Sequence, residues 1–189
     1  MASKKDNKIY GVYTSSVLTA NVQLHITEVG ENLQRSLQNV ISIKNEGKCI
    51  VNGYIKPQSI KILSYSSGVV KGEYIDFVTV YECMVCHPVE GMLMECDTKT
   101  ITKAGIHAEV IDKEGNVPIT IFIARDHHFT QNNFNNIKEN NKITVSIIGI
   151  RFELNDPYIC AIAKLVETKN QNINYDRTKK EPISIIGNE

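Results

Sequence analysis

Tryptophan is absent from the 189 residues, and aromatics amount to only 7%. Core volume must therefore come from aliphatic side chains, and Ile, Val and Leu are plentiful. An excess of one charge is lacking too, because 21 Lys and Arg balance 21 Asp and Glu. Zero net charge excludes a protein that coats nucleic acid by overall charge, while leaving room for a local RNA face. No apolar run approaches the roughly 18 residues a membrane helix needs, so no membrane partner is expected. The first eight residues are polar, and no signal peptide is expected. Five cysteines at irregular spacing in an intracellular chain read as reduced thiols rather than a disulfide framework. Neither an internal repeat nor a low-complexity block is visible.

What is present fits one large domain or two small ones, with 42% apolar residues. Residues 9–26 are rich in Val, Thr and Leu, with Val22, Leu24 and Ile26 alternating, and read as one or two strands. After Gly30, the positions Leu33, Leu37, Val40 and Ile41 form one apolar stripe of a helix over 31–43. Glu31 suits its amino end, and Asn45-Glu46-Gly47 ends it. Residues 49–55, 59–65 and 74–86 read as three strands, with turns at Ser66-Ser67-Gly68 and Lys71-Gly72. One helix over such strands makes a small α+β sheet domain.

His87-Pro88-Val89-Glu90-Gly91 interrupts the pattern, since proline cannot continue a central strand. Five antiparallel strands are then expected at 92–100, 105–111, 117–124, 142–154 and 158–166, with a polar excursion over 125–141. That is the plan of an OB barrel. In the fourth strand, Ile143, Val145 and Ile147 share a face, but beyond Gly149 the apolar set shifts by one to Ile150, Phe152 and Leu154. A phase slip at a glycine predicts a β-bulge or sharp bend, the alternative being a strand buried on both faces.

Catalytic patterns are missing. There is no Gly-x-Ser-x-Gly, no phosphate-binding glycine loop and no Asp-x-Asp pair. The pattern Cys83-Met84-Val85-Cys86-His87 matches a c-type haem attachment motif. It lies within a predicted strand, where residues three apart point to opposite faces, so the cysteines read as packing residues. The same geometry argues against a zinc site built from Cys83, Cys86, His87 and Cys96. Adjacent His127 and His128 rarely chelate together. No metal and no cofactor are expected.

The barrel strands suggest a binding face. Ile106, Ala108 and Val110, like Ile119, Ile121 and Ile123, should fill the interior, leaving His107, Glu109, Thr120 and Phe122 outside. OB barrels hold single strands by stacking on aromatics ringed with cations. Lys103, His107, Phe122, Arg125, His128 and Phe129 are the candidates, although Phe122 could instead pack under the neighbouring domain. Residues 90–167 carry eight basic and eleven acidic side chains, a net −3, which predicts weak RNA affinity unless the cations cluster.

Val29-Gly30, the helix, Gly47-Lys48-Cys49 and Gly53-Tyr54-Ile55 resemble the tip domain of the RNA polymerase stalk family, which comprises the seventh subunit of the eukaryotic messenger-making enzyme and its archaeal counterpart. His87 to Gly91 resembles that family's passage into its OB domain. The runs from Thr102 to Val110 and from Pro118 to Ile123 resemble its second and third barrel strands. The series is colinear from about residue 9 to 167, although His87 and Val89 depart from the family's lysine and aromatic. The composition is similar to the versions carried by large DNA viruses.

The resemblance implies an RNP-like tip domain at 9–87 and an OB domain at 88–168, flanked by a polar extension at 1–8 and a polar tail at 169–189. It implies a non-catalytic subunit in which Gly47, Gly53, Tyr54, Ile55 and Pro57 dock on polymerase core subunits. The barrel face would meet nascent RNA, and a helical stalk partner would clamp both domains. The expected location is with the transcription machinery, in a nucleus, viral factory or virion. Competing readings are a free-standing OB protein of translation or RNA decay, and a redox or metal protein using Cys83, Cys86 and His87.

Overall fold

A computed structural model describes residues 11–128, 134 and 137–166. The expected extension at 1–8, the tail at 169–189 and Phe129 lie outside the described residues.

The first sheet is organised by one long strand. β6 (Tyr74–Cys86) pairs antiparallel from Tyr74 to Val85 with β1 (Thr14–His25). On its other edge it pairs in turn with β5 (Val69–Lys71), β4 (Lys61–Tyr65) and β3 (Gly53–Ile55). β2 (Cys49–Ile50) pairs with β3. Residues 49–55 are thus a tight hairpin rather than the single strand expected. Exposed Val51 and Asn52 form its turn, and Gly53 has φ +123°, a conformation that favours glycine. β5, which sequence patterning does not separate, is three exposed residues with no alternation to betray it.

Helix α1 (Leu33–Asn45) covers one face of this sheet. Leu37 and Ile41 are fully buried against Val22, Leu24, Ile62, Phe77 and Tyr81. Burying each stabilises the fold by about 1.5–3 kcal/mol. Gly47, at φ +69°, reverses the chain after the helix, and its N–H donates to the Ile55 carbonyl at 2.9 Å.

The second sheet is a closed barrel of β7 (Leu93–Ile101), β8 (Gly105–Val110), β9 (Ile119–Ala124), β10 (Lys142–Arg151) and β11 (Ile159–Leu165). The strand order around it is β7-β8-β9-β11-β10, closing on β7. Four of its pairings are antiparallel, but β11 runs parallel to β9, so the expectation of five antiparallel strands is corrected. Closing on β7 with β10 places β11 beside β9, in the same direction. The result is an OB-fold barrel joined to an α+β tip. The ladder between β10 and β11 slips between Ile147 and Gly149, the bulge that the phase shift predicted.

The two sheets share a core. Cys49, Tyr54 and Cys86 of the first pack into the same cluster as Met94, Ile106, Ile121 and Val145 of the barrel. Polar contacts close the seam. The Cys49 N–H donates to the Asp156 carbonyl and the Asn155 N–H to the Cys49 carbonyl, both at 2.8 Å. Lys56 pairs with Glu114 at 2.8 Å, with its ammonium 5.4 Å from the Tyr13 ring centroid.

Candidate nucleic-acid interface

Strand alternation sets the barrel's two faces. Ile106, Ala108 and Val110 on β8 and Ile119, Ile121 and Ile123 on β9 are buried inside. His107 is therefore exposed and Phe122 half-buried outside. The two are cross-strand partners, with ring centroids 4.8 Å apart and planes tilted by 47°. Phe122 has room because Gly105 lacks a side chain, and a Cβ there would lie 2.9 Å from the ring tip. Phe122 does not pack under the first domain. It lines a groove of about 410 Å³ on the outer face of the barrel.

The far wall of that groove comes from Gly149, Ile150 and Arg151 of β10 and Cys160, Ala161 and Ile162 of β11. The sequence marks Gly149 and Ile150 only as a phase slip and assigns none of these residues to a binding face. Their signal is the alternation of β11, which buries Ile159, Ala161, Ala163 and Leu165 and leaves Cys160, Ile162 and Lys164 exposed. Nothing in the sequence places β11 next to β9; the barrel closure does.

The other candidates divide. Lys103 is exposed in the turn before β8. Arg125 braces that same turn. Its Nε donates to the Lys103 carbonyl at 2.9 Å, and its guanidinium lies 5.1 Å from the Phe134 ring centroid. His128 is turned inward and only 3% exposed. The Leu165 N–H donates to its Nε2 at 2.8 Å, so Nδ1 carries the hydrogen that it donates to the Ala124 carbonyl at 2.8 Å. Both ring nitrogens are thus engaged, and the ring stacks on Phe134 at 5.0 Å. His128 is a bracket between β9 and β11, away from the outer face.

The expected docking residues also divide. Gly53, Tyr54 and Ile55 are buried within the chain. A Cβ on Gly53 would collide with the Cys86 carbonyl. Gly47 and Pro57 are half-buried, and Val51 at the hairpin turn is 85% exposed.

Cys83 and Cys86 point to opposite sides of β6. Cys83 enters the cluster under α1, and Cys86 the one shared with the barrel. Burial pushes the Cys83 thiol up to about 11 and the Cys86 thiol to about 12. His87 leans edge-on against Phe152, with centroids 6.0 Å apart. The three residues of the haem-like motif therefore face three different surroundings. Among the described residues, no three His, Cys, Asp or Glu side chains converge as metal ligands.

No protein-family model matches the chain. It is 26% identical to a protein named as RNA polymerase subunit L376 of Acanthamoeba polyphaga mimivirus, over 87% of this chain and 88% of that one. It is 23% identical to the DNA-directed RNA polymerase II subunit RPB7 of Glycine max, over 78% of this chain and 90% of that one. With the DNA-directed RNA polymerase II subunit 7 of Arabidopsis thaliana it shares 26% identity, over 58% of this chain and 60% of that one. The likeness to proteins named as DNA-directed RNA polymerase subunits runs over most of the length of the first two relatives and of this chain, on a tip sheet joined to an OB barrel.

Proposed function

We propose that the chain is a non-catalytic stalk subunit of a DNA-dependent RNA polymerase, working with the transcription machinery inside a cell or viral factory. It docks on the core subunits through residues 9–87 and meets nascent RNA with the OB domain at 88–168. A helical second stalk subunit across both domains belongs to the same reading. The observation that carries it is the similarity to a polymerase subunit over 87% of this chain, which spans both sheets. A free-standing OB protein would leave the tip sheet unexplained.

The buried positions of Gly53, Tyr54 and Ile55 refine the docking surface. These residues shape the β2–β3 hairpin, and the contact itself falls to the exposed Val51 at its turn and to the half-buried Pro57. The RNA face is the outer side of β8, β9 and β11, with His107 and Phe122 at its centre and Lys103 at its edge. Arg125 supports the turn that carries Lys103.

The test is affinity purification of the tagged chain from its native setting, followed by mass spectrometry. Large polymerase subunits at near-equal amounts are expected, and Val51→Asp should deplete them without unfolding the chain. Recovery of the chain alone, or with ribosomes or nucleases, overturns the proposal.

A further inference from the structure

β1 is the last strand on its side of the first sheet. Its ladder to β6 runs through twelve rungs without a slip, and alternate rungs of an antiparallel ladder exchange hydrogen bonds. The parity is fixed one rung beyond, where the Ile26 N–H donates to the Glu73 carbonyl at 3.0 Å. Even-numbered residues of β1 therefore bond to β6, and the N–H and C=O groups of Ser15, Val17, Thr19, Asn21 and Gln23 face away from it. β6 agrees. Its Val78 and Met84 carbonyls, opposite Asn21 and Ser15, turn to the far side and accept from Ser66 and Lys56, both at 2.9 Å. Among the described residues, the five outward residues of β1 have no strand to pair with.

Sheet edges are ordinarily guarded by charged side chains, proline, bulges or shortness. β1 is twelve residues long and contains no Lys, Arg, Asp, Glu or Pro. A groove of about 460 Å³ opens beside it, lined by Ala20, Val22, Val40, Ile41, Val51 and Leu154. A docked helix would fill that groove but leave the five outward N–H and five outward C=O groups unanswered, so the edge calls for a strand. β1 complements itself in this respect. Laid antiparallel on a second copy about Thr19, its outward residues meet as Ser15 with Gln23, Val17 with Asn21 and Thr19 with Thr19, and every outward backbone group finds a partner. Threonine pairs are favourable across strands, and no like charges meet. On the opposite face Leu18 comes opposite Ala20, both half-buried in the single chain. Leu18 of one copy would thus reach the groove beside Ala20 of the other.

We propose that the free chain forms a two-fold dimer in which the β1 edges of two copies pair antiparallel about Thr19, joining two tip sheets into one. This pairing is independent of the stalk reading. The amides of Val17, Thr19 and Asn21 are open to water in a single chain and become protected on pairing. Those of Leu18 and Ala20 already bond to β6 and serve as internal controls.

The test is sedimentation equilibrium of the full chain up to about 1 mM, with amide hydrogen exchange read at both ends of the range. A rise with concentration from 21.2 kDa toward twice that mass is expected, together with slowed exchange at Val17, Thr19 and Asn21. Thr19→Pro removes only an outward N–H, which the edge of a single chain tolerates, and should abolish the dimer. Thr19→Lys and Thr19→Glu each set like charges opposite one another at the two-fold axis, and each should weaken self-association roughly twofold to fivefold. An equimolar mixture of the two should regain it, because only at the axis does a residue face its own counterpart. A mass of 21.2 kDa throughout, with the three amides open, overturns self-pairing. A dimer that survives Thr19→Pro, or a mixture that stays as weak as either charged variant, overturns its placement at β1. Recovery or loss of polymerase subunits in the affinity purification bears on the stalk reading alone.

Discussion

Tyr13 donates its phenolic hydrogen to Oδ2 of Asp112 across 3.0 Å, tying the chain just ahead of β1 to the β8–β9 loop of the barrel. Asp112 is itself the hub of that loop. Its Oδ1 accepts from the N–H groups of Glu114 and Asn116 at 3.0 and 2.8 Å, and its Oδ2 accepts from Asn116 Nδ2 at 2.9 Å. One carboxylate thus orders a loop and holds two sheets together.

Burial works against the Asp112 carboxylate, but the bonds from Asn116, Tyr13 and Glu114 outweigh it and lower its pKa below the usual value of 3.8. A depressed folded-state pKa contributes stability above the unfolded pKa and loses it as pH falls through the folded one. Stability should therefore be level above about pH 5 and decline below about pH 4, with Asp112→Asn flattening that decline. Tyr13→Phe should cost about 1–2 kcal/mol at neutral pH, because it removes one bond to a charged acceptor. Urea denaturation across pH checks both, and an unchanged acid limb in Asp112→Asn would remove this account.

His128 joins β9 to β11 through the Ala124 carbonyl and the Leu165 N–H. His128→Ala strands that N–H, whose residue is only 9% exposed, and opens space beside Phe134. A loss of about 2–4 kcal/mol is expected. Because the ring faces away from the groove, RNA affinity of the folded fraction should not change. Chemical denaturation and anisotropy, measured on the same sample, separate the two effects.

How far the sequence could be read depends on which forces act locally. Alternation along β8 and β9 placed Ile106, Ile121, His107 and Phe122 correctly, because a strand's side chains must alternate whatever surrounds it. The slip at Gly149 revealed a bulge for the same reason. His128 misled. A polar residue after a strand reads as surface, and only the non-local approach of Leu165 turns it inward. Tyr54 misled likewise, since the barrel that buries it begins some 40 residues later, at β7 (Leu93–Ile101). The groove's far wall was illegible because β9 and β11 meet only when the barrel closes.

The thiols give a readout of the shared core. Cys49, Cys83, Cys86 and Cys96 are buried, and Cys160 is exposed in the groove. Burial pushes Cys49 up to about 11 and Cys96 to about 12, in line with Cys83 and Cys86, so all four are protonated at neutral pH. Ellman's reagent should titrate one thiol rapidly in the folded protein and all five in denaturant. Cys160→Ser should abolish the fast phase. Rapid reaction of Cys49 and Cys86 together would instead mean that the seam between the sheets opens freely.

Thr79 supplies a prediction in the opposite direction. It sits on the inner face of β6 between Phe77 and Tyr81, fully buried, and its Oγ1 has no hydrogen-bond partner among the described residues. Its neighbours on that face are aromatic and aliphatic. A buried hydroxyl without a partner costs about 1–3 kcal/mol on mutational scales. Valine keeps the branched shape that suits a strand and replaces the hydroxyl with a methyl group. Thr79→Val should therefore raise stability by about 1 kcal/mol, a rise of roughly 2–4 °C in Tm for a chain of this size. A lowered Tm would show that the hydroxyl has a partner within the core and that the α1 face of the sheet is held together by more than apolar packing.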